Sequence, residues 1–239
     1  MRSLEQLVNK MDSEFFLRVN AAEAKYQAIW YYYKENMPAC INNCKKLSTE
    51  IDGPQGIYWI GKNPKIFFIG KESFEWKGRG NHELDDEGTM ALPLWFCFYQ
   101  TACMPSFWKK NYYVINSIFG EKDNWYENLD FVAISNACKC YQPDIQWNLH
   151  NECNKAGYIF KEIEIINAPI NVFYTKALGI LPNNPLFNNG NEIEDTGIMK
   201  YIINDKVYYE MNHPSRISTD LLERLIEDIT KELRLRQLL

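Results

Sequence analysis

Apolar residues recur along the chain in two periods, and the change from one to the other sets the expected fold. Leu4, Leu7, Val8, Met11 and Phe15 keep the three-and-four spacing of a helix face. Ala24, Ile29, Trp30 and Tyr33 form a second helical stripe. The turn Asp52-Gly53-Pro54-Gln55-Gly56 closes this helical preface. Short continuous apolar runs follow. Lys65 to Ile69 reads as a strand ending at Gly70, Phe131 to Ser135 as a second ending at Asn136, and Asn171 to Tyr174 as a third. Met199 to Ile203 and Lys206 to Met211 flank Asn204-Asp205 as a hairpin.

Helical patterns separate these runs. One covers about Leu92 to Phe119, and one covers Asn151 to Asn167 with Ala156, Ile159, Phe160, Ile163 and Ile166 on one face. The last carries Leu221, Leu222, Leu225, Ile226, Ile229 and Leu233, with Ser218 as its N-cap and Arg234 and Arg236 at its C-terminal end. Strands buried on both faces and alternating with helices predict an α/β fold. The expectation is a three-layer α/β/α sandwich on a mainly parallel four-stranded sheet, preceded by N-terminal helices. The chain is expected to be a single domain, with residues 1–56 as a helical extension packed on it.

Composition narrows the picture. The chain has 239 residues, enough for one sizeable core. The apolar stretch Ala91 to Trp108 is broken by Pro93, Gln100 and Pro105, which suits a core helix better than a membrane span. The N-terminus lacks the apolar region and small-residue cleavage site of a signal peptide. Seven cysteines, an odd count, suit reduced thiols in a cytoplasm. Cys40 and Cys44, and Cys138 and Cys140, lack the C-x-x-C spacing of a zinc site, and His82-Glu83 is not the H-x-E of a zinc deaminase. No metal and no cofactor is expected, although four of the seven cysteines could still gather at an iron–sulfur cluster.

In a parallel sheet the ligand sits at the carboxyl ends of the strands. Glu72 follows the first strand, Asn136 ends the second, and His213 follows the last, so an acid, an amide and an imidazole converge on one rim. No Walker A loop, G-x-G-x-x-G or G-x-S-x-G is present. Each residue also has a plain structural reading. Glu72 could be a solvated loop acid, Asn136 a turn residue, His213 an extended turn residue before Pro214, and Lys109-Lys110 a solvated face.

The segments Gly70-Lys71-Glu72-Ser73-Phe74, Ile134-Ser135-Asn136 and His213-Pro214-Ser215-Arg216-Ile217-Ser218 stand in the order and strand context of three family motifs. Through them the chain resembles the uracil-DNA glycosylase superfamily over about residues 57–239. The resemblance implies a monofunctional DNA glycosylase that hydrolyses the N-glycosidic bond of uracil or a modified pyrimidine, in repair or in defence against phage with modified DNA. The departures are Glu72 for the Asp of the best-known branch, Ser73 for Pro and Arg216 for the second Pro of the last motif. They widen the expected target beyond uracil.

The resemblance also implies roles. Glu72 would stabilise the oxocarbenium-like sugar and orient water, and His213 would stabilise the departing base. Gly70, Lys71, Phe74 and Asn136 would bind the base, Asn136 by its Watson–Crick edge. Ser215, Arg216, Lys77 and Arg79 would meet phosphates, and Ile217 would be the apolar wedge that fills the duplex. An aromatic from Trp95, Phe96 and Phe98 could stack on the base, or all three could be core.

Net charge is −5, which argues against a broad basic coat. The acids cluster at Glu83 to Glu87 and Glu192 to Asp195, however, while Lys62 to Arg79 carries five basic residues against two acidic ones. Localised, salt-sensitive contact with DNA by a cytoplasmic monomer away from membranes is the resulting expectation. The alternatives are a catalytically inactive nucleic-acid or nucleotide binding member of the superfamily, or a free-nucleoside hydrolase.

Overall fold

A computed structural model describes residues 21–47, 57, 59–70, 106–122, 127–139 and 147–239. Helix α1 spans Glu23–Leu47 and strand β1 Trp59–Ile60. Strand β2 spans Ile66–Gly70, helix α2 Ser106–Phe119 and strand β3 Val132–Asn136. Helices α3 (Trp147–Ala156) and α4 (Tyr158–Ile166) lead into strand β4 (Ile170–Phe173). Strands β5 (Asn191–Glu192), β6 (Met199–Ile203) and β7 (Lys206–Glu210) precede helix α5 (Thr219–Leu235). The fold is mixed α/β.

The seven strands form one sheet in the order β1-β3-β2-β4-β7-β6-β5. The expected sheet was smaller and mainly parallel; this one is mixed. Strands β3, β2, β4 and β7 pair in parallel, while β1, β6 and β5 add antiparallel pairs at the two sides. Strands β1 and β5 are two residues long, too short to leave a period in the sequence. The β6–β7 hairpin is as expected. Asn204 and Asp205 take φ of 48° and 63°, the left-handed pair that a two-residue type I′ turn requires.

The sheet separates two apolar clusters. Ile66, Phe68, Val132, Ile134, Val172 and Tyr209 join Val114, Ile115 and Ile118 of α2 and Leu225, Ile229 and Leu233 of α5. Phe67, Ile69, Ala133, Phe173 and Tyr208 join Tyr26, Ile29 and Tyr33 of α1 and Ile159, Ile163 and Ile166 of α4. Each fully buried aliphatic side chain contributes about 1.5–3 kcal/mol of transfer free energy. Along α1 the buried stripe is Ala22, Tyr26, Ile29 and Tyr33, whereas Ala24 is exposed. The stripe Leu4 to Phe15, the turn at residues 52–56 and the apolar stretch 92–105 lie outside the described residues.

The single helix expected over Asn151 to Asn167 is two helices. Gly157 takes φ of +70°, a left-handed conformation that ends α3 and redirects the chain into α4. Ser218 does cap α5, its Oγ accepting from Leu221 N at 3.3 Å. No helix among the described residues is long and apolar enough to cross a membrane.

Candidate functional site

Parallel pairing places the carboxyl ends of β2, β3, β4 and β7 on one rim. Gly70 and Asn136 are direct neighbours there, the last paired residues of β2 and β3. A Cβ at Gly70 would lie 2.3 Å from Asn136 Oδ1 and 3.4 Å from the Phe107 ring. Only glycine lets the amide and the ring come this close to the strand backbone. The Ala137 N–H donates to Gly70 O at 2.9 Å, which fixes the exit of β3. Asn136 is 9% exposed, so its amide lies at the edge of the core rather than in solvent.

Phe107, in the first turn of α2, links this pair to His213. The two rings stack with centroids 5.5 Å apart and planes 21° apart. On its other side Phe107 meets Tyr174 edge-on at 5.8 Å, and Tyr174 stacks on Phe68 of β2. The Tyr174 hydroxyl donates to Asn111 Oδ1 at 2.8 Å, and burial pushes its ionisation far above the usual tyrosine range. The Asn111 amide Nδ2 is buried with no hydrogen-bond partner among the described residues. It is an unsatisfied donor one helical turn beyond Phe107. Thr175 Oγ1, just past β4, is buried and unsatisfied as well.

The loop carrying His213 is held from α2. After β7, Met211 N donates to Phe173 O at 2.9 Å, and Arg216 N donates to His213 O at 2.9 Å to form the 3-10 turn Pro214–Arg216. The Lys110 ammonium donates to Pro214 O at 2.6 Å and to Ile217 O. Lys110 therefore belongs to the loop's support and not to a solvated face, whereas Lys109 is exposed.

Two further carboxylates lie near this rim. Glu210 ends β7 beside Phe173 and is 1% exposed. Burial pushes its carboxyl up to about 7, against a weak hydrogen bond from Leu181 N at 3.4 Å and the Lys176 ammonium, both of which pull it down. Glu162 of α4 pairs with Lys139 at 2.6 Å, and both side chains are buried. The Lys139 ammonium also donates to Ser135 Oγ at 2.7 Å, and the Tyr33 hydroxyl donates to Glu162 Oε1. Burial drives Lys139 well below the usual lysine range and Glu162 well above the usual carboxyl range.

Of the residues expected at the site, Gly70, Asn136 and His213 lie on the rim, and Phe107 touches two of them. Arg216 is exposed. Ser215 is described only as backbone within its turn. Ile217 corrects an expectation: it is 4% exposed and packs in the cluster with α2 and α5. Its side chain packs there instead of presenting an exposed apolar tip. Glu72, Lys71, Phe74, Lys77 and Arg79 lie outside the described residues, as do Trp95, Phe96 and Phe98.

Phe107, Asn111, Tyr174 and Glu210 were not singled out from the sequence, and Lys110 is expected there only on a solvated face. Phe107, Lys110, Asn111 and Val114 do share the three-and-four spacing of one helix face, a signal that could have placed Lys110 and Asn111 inward. Among the described residues, no group of three or more His, Cys, Asp or Glu side chains could hold a metal ion. Neither a protein-family model nor a curated protein sequence matches the chain.

Proposed function

We propose that the chain is a monofunctional DNA glycosylase acting on uracil or a modified pyrimidine, built as one α/β/α domain with its helical preface. The observation that carries this reading is the junction of Asn136, Gly70, Phe107 and His213 at the carboxyl ends of parallel strands. An amide offers one donor and one acceptor, the minimum needed to read a flipped pyrimidine edge. The imidazole stacks on Phe107, which restricts its tilt, and its N–H would face the O2 of the base as the N-glycosidic bond lengthens. The bond to the base breaks with its electrons leaving on the base, and water adds to the sugar carbon. Glu72 is assigned to that water by resemblance alone.

Asn111 Nδ2, buried with no hydrogen-bond partner among the described residues, supports a polar occupant on this side of the sheet. The two clusters of helices on opposite sheet faces support the three-layer arrangement.

The test is base release from DNA carrying uracil or modified pyrimidines, followed by mass spectrometry. Release is expected from one DNA class, with His213→Ala and Asn136→Ala each lowering the rate by about 100-fold or more. Intact DNA across the panel, with base released from free nucleosides, would replace this reading by nucleoside hydrolysis. DNA binding without release would leave a binding module.

A further inference from the structure

Cys138 and Cys153 lie with their Sγ atoms 3.6 Å apart, and both are buried. Cys138 is in the turn that leaves β3, two residues past Asn136, and Cys153 is on α3. A buried cysteine pair packed as small hydrophobes would sit among apolar groups. This pair instead adjoins Lys139, whose buried ammonium gives up its proton more readily than an ordinary lysine because burial outweighs the opposite pull of the two sulfurs. Ser135 and Glu162 hold that ammonium in place at 2.7 and 2.6 Å. Lys139 is therefore placed to take up a thiol proton, and the thiolate is the form that reacts with oxidants.

We propose that Cys138 and Cys153 form a reversible redox pair, oxidised by a peroxide to a disulfide that ties the exit of β3 to α3. One thiolate attacks a peroxide oxygen and breaks the O–O bond. It becomes a sulfenic acid, and the hydroxide released takes up the first thiol's proton as water. The second sulfur then attacks the sulfenic sulfur and expels hydroxide, which leaves as water with the second thiol's proton. Two thiols and one hydrogen peroxide thus give one disulfide and two waters. Closing the gap to a disulfide needs the sulfurs to approach by about 1.5 Å. A dithiol reductant reverses the step by thiol–disulfide exchange. The proposal does not rest on the glycosylase reading, because its product is read as a covalent bond.

The experiment treats the reduced full-length chain with equimolar hydrogen peroxide, alkylates the remaining thiols and digests without reductant. Mass spectrometry is expected to find the Cys138 and Cys153 peptides joined, lighter by two hydrogens, before any other cysteine is modified, and separated again by dithiothreitol. The proposal is overturned if both cysteines are recovered alkylated while others oxidise, or if either joins a different cysteine. In Cys153→Ser the sulfenic acid on Cys138 should accumulate and be trapped by dimedone on denaturation. If neither this variant nor Cys138→Ser yields a trapped sulfenic acid under conditions that cross-link the native chain, the peroxide route is overturned. Lys139→Met should slow cross-linking by roughly tenfold or more, and an unchanged rate would remove the ammonium from the account. The native measurement decides the pair by itself if the Lys139 variant does not fold.

Discussion

Replacing Glu210 by glutamine should make the protein more stable at alkaline pH and leave it little changed at acid pH. The side chain is 1% exposed, and burial raises its carboxyl from an ordinary 4.5 to about 7. In the unfolded chain the group is solvated and ionises near its ordinary value. A carboxyl raised by folding holds its proton more tightly in the native state, so its favourable contribution is complete below the unfolded value. That contribution is lost as pH rises through about 7. A tenfold difference in proton affinity is about 1.4 kcal/mol, so the buried charge costs the native state up to roughly 3 kcal/mol once ionised. Glutamine keeps the shape and an acceptor for Leu181 N but cannot ionise. Urea unfolding of both proteins at about pH 5 and about pH 8 measures the effect, and the gap should widen by roughly 2 kcal/mol toward the higher pH. A constant gap, or a native protein at least as stable as the variant at the higher pH, would refute the assignment of the cost to Glu210 ionisation.

Three further outcomes are expected. Gly70→Ala places a methyl 2.3 Å from Asn136 Oδ1 and must displace the amide, so base release should fall by about tenfold or more while far-ultraviolet circular dichroism stays native. Lys110→Met removes the donor to Pro214 O and Ile217 O and should cost about 1–2 kcal/mol in chemical denaturation. Limited proteolysis should then begin near residues 213–217. Ser218→Ala removes the cap on Leu221 N and should lower stability by about 1 kcal/mol in the same assay, with the base-release rate unchanged.

Much of the frame was legible because the central strands are short apolar runs ending in polar residues. Ile66 to Gly70, Val132 to Asn136 and Ile170 to Phe173 each fall within a residue or so of their expected bounds. The hairpin at Asn204-Asp205 was legible from turn chemistry. Strands β1 and β5 were not, because two residues carry no period. The break at Gly157 lay inside an apolar pattern whose spacing survives on both sides of it.

At the rim, the sequence placed Gly70, Asn136 and His213 by their position at strand ends, but not the residues that support them. Phe107 reads as one more aromatic in an apolar stretch. Lys110 and Lys139 are charged, and composition rules send lysine to solvent unless a partner is known. Their partners are the carbonyls of Pro214 and Ile217 and the carboxylate of Glu162, which are far away in sequence. Ile217 misled in the opposite way: a motif position suggested exposure, whereas packing against α2 and α5 buries it.

The sheet order has a consequence for synthesis. Strand β2 sits between β3 and β4, and both of these follow it in the chain. Its apolar residues Ile66 to Ile69 leave the ribosome with neither edge paired until Val132 arrives, roughly 65 residues later, and Ile170 after that. At about 5–20 residues per second, this is an interval of seconds. During it the nascent chain carries this apolar strand without its eventual neighbours. Chaperone demand should therefore peak before β3 emerges and fall when β4 closes the other side, and an arrest in that interval would yield aggregates.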